Sequence, residues 1–226
     1  MRLDAEFLIP RLVAVAMILL ISFPVHEFAH AFAAYRLGDS TAKLFGRLTL
    51  NPIAHFDTLG GLLLLASSLT GFGIGWAKPT PVNPSNLRGG HDSEGIVAFA
   101  GPASNLILAA LGAIPLRLLL LASQRGTDVP DVVLDTLAMF ILINIALMLF
   151  NLVPIPPLDG SKVLFSFMSP RQVYQYRPVL EQYGFILLIF VAFVPLLPGG
   201  NTIFGFIFEK IGFPIINFLI GRNAYR

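Results

Sequence analysis

Apolar positions in this chain run together in long stretches, at about 8–35, 58–75, 95–121, 132–153, 180–197 and 203–221, to be set against the roughly 20 residues a helix needs to cross hydrocarbon. The first stretch is expected to end at Leu37-Gly38, where glycine can take the left-handed position that closes a helix. The second is the weakest as a span. Gly60, Gly61, Gly71, Gly73 and Gly75 interrupt it, and Ser67, Ser68 and Thr70 are polar for a lipid-facing helix. Around it lie "RLTLNPIAHFDTLGG" and "WAKPTPVNPSNLRGG", where Pro79, Pro81 and Pro84 forbid helix. Both read as short strands and turns at the membrane surface.

Composition agrees with the pattern. Of 226 residues, 55% are hydrophobic and 12% charged, with a mean hydropathy of +0.76, where soluble domains carry about 25% charged residues. The expected fold class is an all-α polytopic membrane protein, with about five transmembrane helices and one re-entrant or surface-lying segment bearing short strand-like stretches. One domain, 1–226, accounts for the chain: a catalytic core over about 8–165 and C-terminal helices over 180–221. A cleavable signal peptide at 11–33 is set aside, because such a segment has no use for ionisable residues and further apolar stretches follow. Cysteine is absent, which removes thiolate metal sites and disulfides. A net charge of +2 from scattered residues excludes a nucleic-acid surface.

The polar exceptions carry the chemistry. "FPVHEFAHAF" places His26, Glu27 and His30 inside an apolar helix, where ionisable side chains are costly and mark function. His26 and His30, four apart, share one helix face and can converge on one ion, with Glu27 beside them. Zn2+ suits imidazole ligands, and a catalytic zinc takes three protein ligands and keeps one position open. The bland alternative is a pair of core histidines bonded to carbonyls, which would need several partners to offset burial. For the third ligand Asp159 in "NLVPIPPLDG" is the best candidate: it is read as closing an apolar helix, after a proline-rich break that can turn the chain inward. An ordinary cap is its alternative. Asn105 stands at the depth of His26, where it could orient substrate backbone or a metal ligand, or simply bond between helices. Asn144 reads as a packing contact. His55 and Asp57 could bind a second metal, hold their loop or line an entrance, and a lone histidine in a turn is usually structural. His91, in a Gly-rich loop, reads as solvated.

"HEFAH" together with "FNLVPIPPLDG" resembles the site-2 protease family of intramembrane zinc metalloproteases. "GRLTLNPIAHFD", "WAKPTPVNP" and "AGPASN" are similar to its compact bacterial branch, so the resemblance covers roughly 20–165. It implies His26, His30 and Asp159 as zinc ligands, Glu27 as catalytic acid/base and Asn151 as a polar group beside the scissile peptide.

Site geometry also counts crossings. His26 lies nine residues before Tyr35, about 14 Å from the face where its helix exits. Asp159 must reach that same face, so an even number of crossings separates them: 95–121 and 132–153 supply two, and 58–75 must not cross. That face receives ten lysines and arginines against four on the other, which makes it the cytoplasm. The expectation is an integral protein of a bacterial inner membrane, embedded in the lipid bilayer, cleaving single-span membrane proteins with its site opening toward the cytoplasm. A metal or proton-coupled transporter would also use intramembrane His and Asp, but along a full path across. A non-catalytic membrane-protein-binding relative would have lost Glu27 or a ligand, and none is lost.

Overall fold

The computed structural model describes residues 12, 13, 15–70 and 75–221. Among the described residues five helices are long and apolar enough to cross a bilayer: Val15–Arg36 (α1), the helix His91–Gln124 (α5), Asp131–Asn151 (α6), Pro170–Phe193 (α8) and Ile203–Ile220 (α9). Shorter helices are Thr41–Leu44 (α2), Pro52–His55 (α3), Thr58–Thr70 (α4) and Asp159–Ser166 (α7). The chain is an all-α integral membrane protein, as its apolar stretches require. Half-exposed leucines and isoleucines such as Leu111, Ile114 and Leu118 face outward from α5, where lipid rather than water makes their exposure tolerable.

The organising element is α5, which packs against α1, α6 and α7. Its small residues Ala109 and Ala113 are buried against Ile141, Ile145 and Met148 of α6 and Ile216 and Ile220 of α9, so the two long helices approach closely, as small residues permit in membranes. By contrast α8 is peripheral, with most of its side chains turned outward.

Several local features follow the sequence. Helix α1 ends at Arg36, and Gly38 takes a positive φ of 108°. Beyond it Asp39 is fully buried. Its carboxylate accepts from Thr41 N (3.0 Å), Asn83 N (2.7 Å) and Asn86 Nδ2 (3.0 Å), which ties the end of α1 to the segment before α5. Burial opposes its charge, but the bonds from Thr41, Asn86 and Asn83 outweigh it and hold the carboxyl below its ordinary range.

Helix α4 has 13 residues, about 20 Å of rise, short of the roughly 30 Å hydrocarbon thickness. The chain then comes back on itself. A Cβ on Gly60 would fall 2.1 Å from the Trp76 carbonyl oxygen, and one on Gly75 would fall 2.4 Å from Leu64 Cβ. Glycine is required at both places because the returning segment touches the first turns of α4. Gly71 and Gly73 lie outside the described residues, as do the terminal arginines Arg2, Arg11, Arg222 and Arg226.

The expected strands differ. Residues 75–83 form neither helix nor β-ladder, and the stretch 44–54 is turns with a short helix opened by Asn51, whose side chain accepts from Ile53 N. Pro79 and Pro81 remove two of the donors a ladder needs. What holds 75–83 is instead donation to α1, α3 and Asp39: Lys78 N to the His55 carbonyl, Thr80 N to Glu27, and Asn83 N to Asp39.

Candidate metal centre

Three atoms from two distant parts of the chain meet on the inner face of α1. His26 Nε2 and His30 Nε2 are 3.1 Å apart, and Asp159 Oδ2 lies 3.2 Å from the first and 3.1 Å from the second. One helix turn brings the histidines together. Asp159 arrives from the other side of the sequence through the turn after α6, which folds back tightly: a Cβ on Gly160 would strike the Leu152 and Val153 carbonyls. Asp159 therefore opens α7 and does not close α6, which ends at Asn151. The proline-rich turn between them, rather than the end of a helix, points the carboxylate inward.

The opposite nitrogen of each ring is committed. His30 Nδ1 bonds the Val97 carbonyl at 2.7 Å, which can only accept, so the proton sits on Nδ1. His26 Nδ1 bonds Asn105 Oδ1 at 2.7 Å. The two Nε2 atoms and the Asp159 carboxylate oxygen are thus left facing one another, a set of donor atoms that a shared cation would hold together. Ligand atoms about 2.0–2.1 Å from a tetrahedral ion stand about 3.3 Å apart, close to the observed spacing. The residues present thus fit a metal with two nitrogen and one oxygen donor. His26, Glu27 and His30 are all buried.

Helix α5 closes the site from the side. Gly101 lies against both rings: a Cβ there would fall 2.3 Å from His30 Nε2 and 2.6 Å from His26 Nε2. Pro102 follows and removes one helix bond from this turn, next to the carbonyl that His30 uses. Both features belong to "AGPASN", whose Asn105 is the partner of His26.

Glu27 projects toward the segment 75–83. Thr80 N donates to its Oε2 at 2.7 Å, and Thr80 Oγ1 donates to its backbone carbonyl at 3.0 Å. Thr80 stands between Pro79 and Pro81, so its N–H is the only backbone donor of that tripeptide. The sequence pattern does not mark Thr80, whose bond to the Glu27 carboxylate is made by its backbone N–H. Asn151 stays on its own helix, Nδ2 donating to the Leu147 carbonyl at 2.9 Å. Asn144, expected as a packing residue, bonds Asn105 at 3.1 Å. Its signal was depth: like Asn105 it is a polar residue in the middle of a span. His55 is buried and its Nε2 donates to the Thr49 carbonyl at 2.8 Å, while Asp57 Oδ1 accepts from Gly60 N at 2.8 Å, so both fasten the turns before and at the start of α4. His91 is the first residue of α5 and not part of a loop.

A cavity of about 500 Å³ runs beside α7, between Pro156, Pro157, Ser161 and Phe165 on one side and Arg177 and Phe185 of α8 on the other.

Comparison with known proteins meets this geometry from a separate direction. The model for "Peptidase family M50" matches residues 120–194, a window that contains Asn151 and Asp159. "Putative zinc metalloprotease YwhC" of Bacillus subtilis is 40% identical over 185 residues, 79% of this chain and 79% of that protein. "Putative zinc metalloprotease Rip2" of Mycolicibacterium smegmatis is 33% identical over 181 residues, 79% of this chain and 66% of the relative. "Putative zinc metalloprotease Rip3" of Mycobacterium tuberculosis is 32% identical over 161 residues, and the match spans 31% of that longer protein. No solved structure matches. With a relative this similar along four-fifths of both chains, and two histidines and an aspartate converging inside apolar helices, the chain belongs to peptidase family M50, the site-2 protease family of metallopeptidases.

Proposed function

We propose that this protein is an intramembrane zinc metalloprotease that hydrolyses peptide bonds of single-span membrane proteins, from a bacterial inner membrane and with its site opening toward the cytoplasm. One observation carries the reading: His30 and Asp159, 129 residues apart, meet at 3.1 Å beside His26, in a chain with five helices apolar enough to cross a membrane among the described residues. Ionisable groups gathered at such depth need a function to offset their cost.

In this reading His26 Nε2, His30 Nε2 and Asp159 Oδ2 hold the zinc, which when bound supplies Lewis acidity toward water and the scissile carbonyl. Glu27 takes the proton from the attacking water and hands it to the leaving amine. The Thr80 N–H holds Oε2, which leaves Oε1 for that transfer. Asn151 Nδ2 gives one of its two hydrogens to its own helix, so its Oδ1 and its second N–H are the groups it can offer to a substrate backbone. A substrate helix satisfies its own amides and must unwind before attack, and unwound backbone is tolerated in lipid only where protein or water covers it. The segment 75–83, tied to Glu27, offers a backbone edge for such a strand. Membrane fractions from cells carrying Glu27→Gln are expected to accumulate at least one single-span protein relative to the native strain; an unchanged membrane proteome counts against the substrate class.

The return of the chain after α4 supports placing the two ends of this segment on one side of the membrane. Cysteines introduced singly at Phe45 and Ser85, in a chain with none of its own, are expected to react with an impermeant thiol reagent from the same, cytoplasmic side of oriented vesicles. Labelling from opposite sides would mean that 58–75 crosses, which would put Asp159 about 30 Å from His26.

A further inference from the structure

His26 is oriented by a hydrogen-bond chain that can run in one direction only. Asn144 Nδ2 donates to the Phe140 carbonyl at 2.9 Å, Asn105 Nδ2 donates to Asn144 Oδ1 at 3.1 Å, and His26 Nδ1 meets Asn105 Oδ1 at 2.7 Å. Asn105 and Asn144 are both fully buried, so neither can turn to water. The chain is anchored at a backbone carbonyl, which only accepts. Asn144 must therefore present its NH2 there and its oxygen to Asn105. Asn105 must then give its NH2 to Asn144 and keep its oxygen for His26. The last step obliges His26 to carry its proton on Nδ1.

Asn105 by itself selects nothing. With its amide reversed it would donate to a bare Nδ1, and the imidazole proton would move to Nε2, where it points into the metal position. His30 needs no such relay, because the Val97 carbonyl fixes its tautomer directly. The difference between the two rings is that one is held by a one-way acceptor and the other by an ambivalent amide whose sense is set one residue further out.

We propose that Asn144 is a positioning residue for the metal site, which fixes the His26 tautomer through Asn105 and so keeps Nε2 bare for the metal. This rests on His26 being a ligand, as proposed above. Asn144 lies on α6 and touches neither metal nor substrate in this role. Loss of an outer partner of a metal-bound histidine typically weakens metal binding 10–100-fold.

The test reads the ring nitrogens of the metal-free protein and its zinc affinity. With four histidines in the chain, 15N-labelled imidazoles can be assigned by single substitution in detergent-solubilised protein. The native metal-free protein is expected to show His26 as the Nδ1–H tautomer. Asn144→Leu is expected to populate the Nε2–H form and to raise the zinc dissociation constant, measured by chelator competition, about 10–100-fold. Asn144→Asp, buried and therefore neutral, still has one O–H donor for Phe140 and one acceptor for Asn105, so it should keep the native tautomer and affinity. A native His26 with no proton on Nδ1 would overturn the proposal. So would Asn144→Leu binding zinc within about two-fold of native, or Asn144→Asp losing ten-fold or more; the native tautomer and the Asp variant decide the matter even where the Leu variant does not fold. A native protein with the Nδ1–H tautomer that takes up no zinc would overturn the metal reading and leave the one-way chain standing.

Discussion

Glu27→Gln is expected to lower the cleavage rate by at least about 10²–10⁴-fold, the contribution of a positioned general acid/base, while zinc stays bound. The two halves of that result have separate causes. Gln has the shape of Glu and retains a carbonyl oxygen that accepts the Thr80 N–H, so the segment 75–83 keeps its place on α1. His26 and His30 keep their Nδ1 partners, Asn105 and the Val97 carbonyl, so the ligand face is unchanged. An amide, however, cannot take a proton from water at neutral pH. The measurement is cleavage of a membrane-spanning substrate in proteoliposomes, paired with zinc per chain. Turnover within about ten-fold of native would remove Glu27 from the proton-transfer role.

Gly101→Ala is expected to destroy metal binding by adding one methyl group at a residue with no ligand atom. The new Cβ would fall 2.3 Å from His30 Nε2 and 2.6 Å from His26 Nε2, inside any real contact distance. Neither ring can retreat, since each is fixed at Nδ1 by a buried partner, and α5 cannot retreat without withdrawing those same partners. Zinc affinity should fall by about 100-fold or more, comparable to or beyond the loss of an outer-shell partner. Gly112→Ala is the control on the same helix. Its Cβ would meet Phe140 Cδ1 at 3.1 Å and Ile141 Cγ1 at 3.4 Å, contacts away from the metal that small shifts can relieve. It should leave zinc binding intact, and equal losses in the two variants would mean that Gly101 matters for packing alone.

The sequence made the scaffold readable because length and hydropathy decide membrane helices with little help from tertiary context. The end of α1 at Gly38 and the short, returning α4 followed from glycine placement and from the parity of crossings. Two histidines four apart on an apolar helix were legible for the same reason: helix geometry alone puts them on one face. What the pattern left out was where polar groups find partners across elements. Asp159 was read as ending a helix, whereas the turn through Pro156 and Pro157 carries it to the start of the next one. The residues near Trp76 suggested strands, yet their donors go to His55, Glu27 and Asp39 and to no ladder. Asn144 was expected to make a contact between helices and does so, but the sequence could not say that its partner is Asn105, 39 residues away. Thr80 carries no signal at all, since any residue with an N–H would serve in its bond to Glu27.

Zinc content of the purified protein, native and Asp159→Ala side by side, tests the assembled site most directly. Two histidines one helix turn apart are common and bind metal weakly alone. Asp159 is the proposed ligand that requires the whole arrangement of α5 and α6 between it and α1. The native protein is expected to hold about one zinc per chain and Asp159→Ala close to none after mild chelation. Stoichiometric zinc at native affinity in Asp159→Ala, or a native protein that takes up none, would contradict a metal site built from His26, His30 and Asp159.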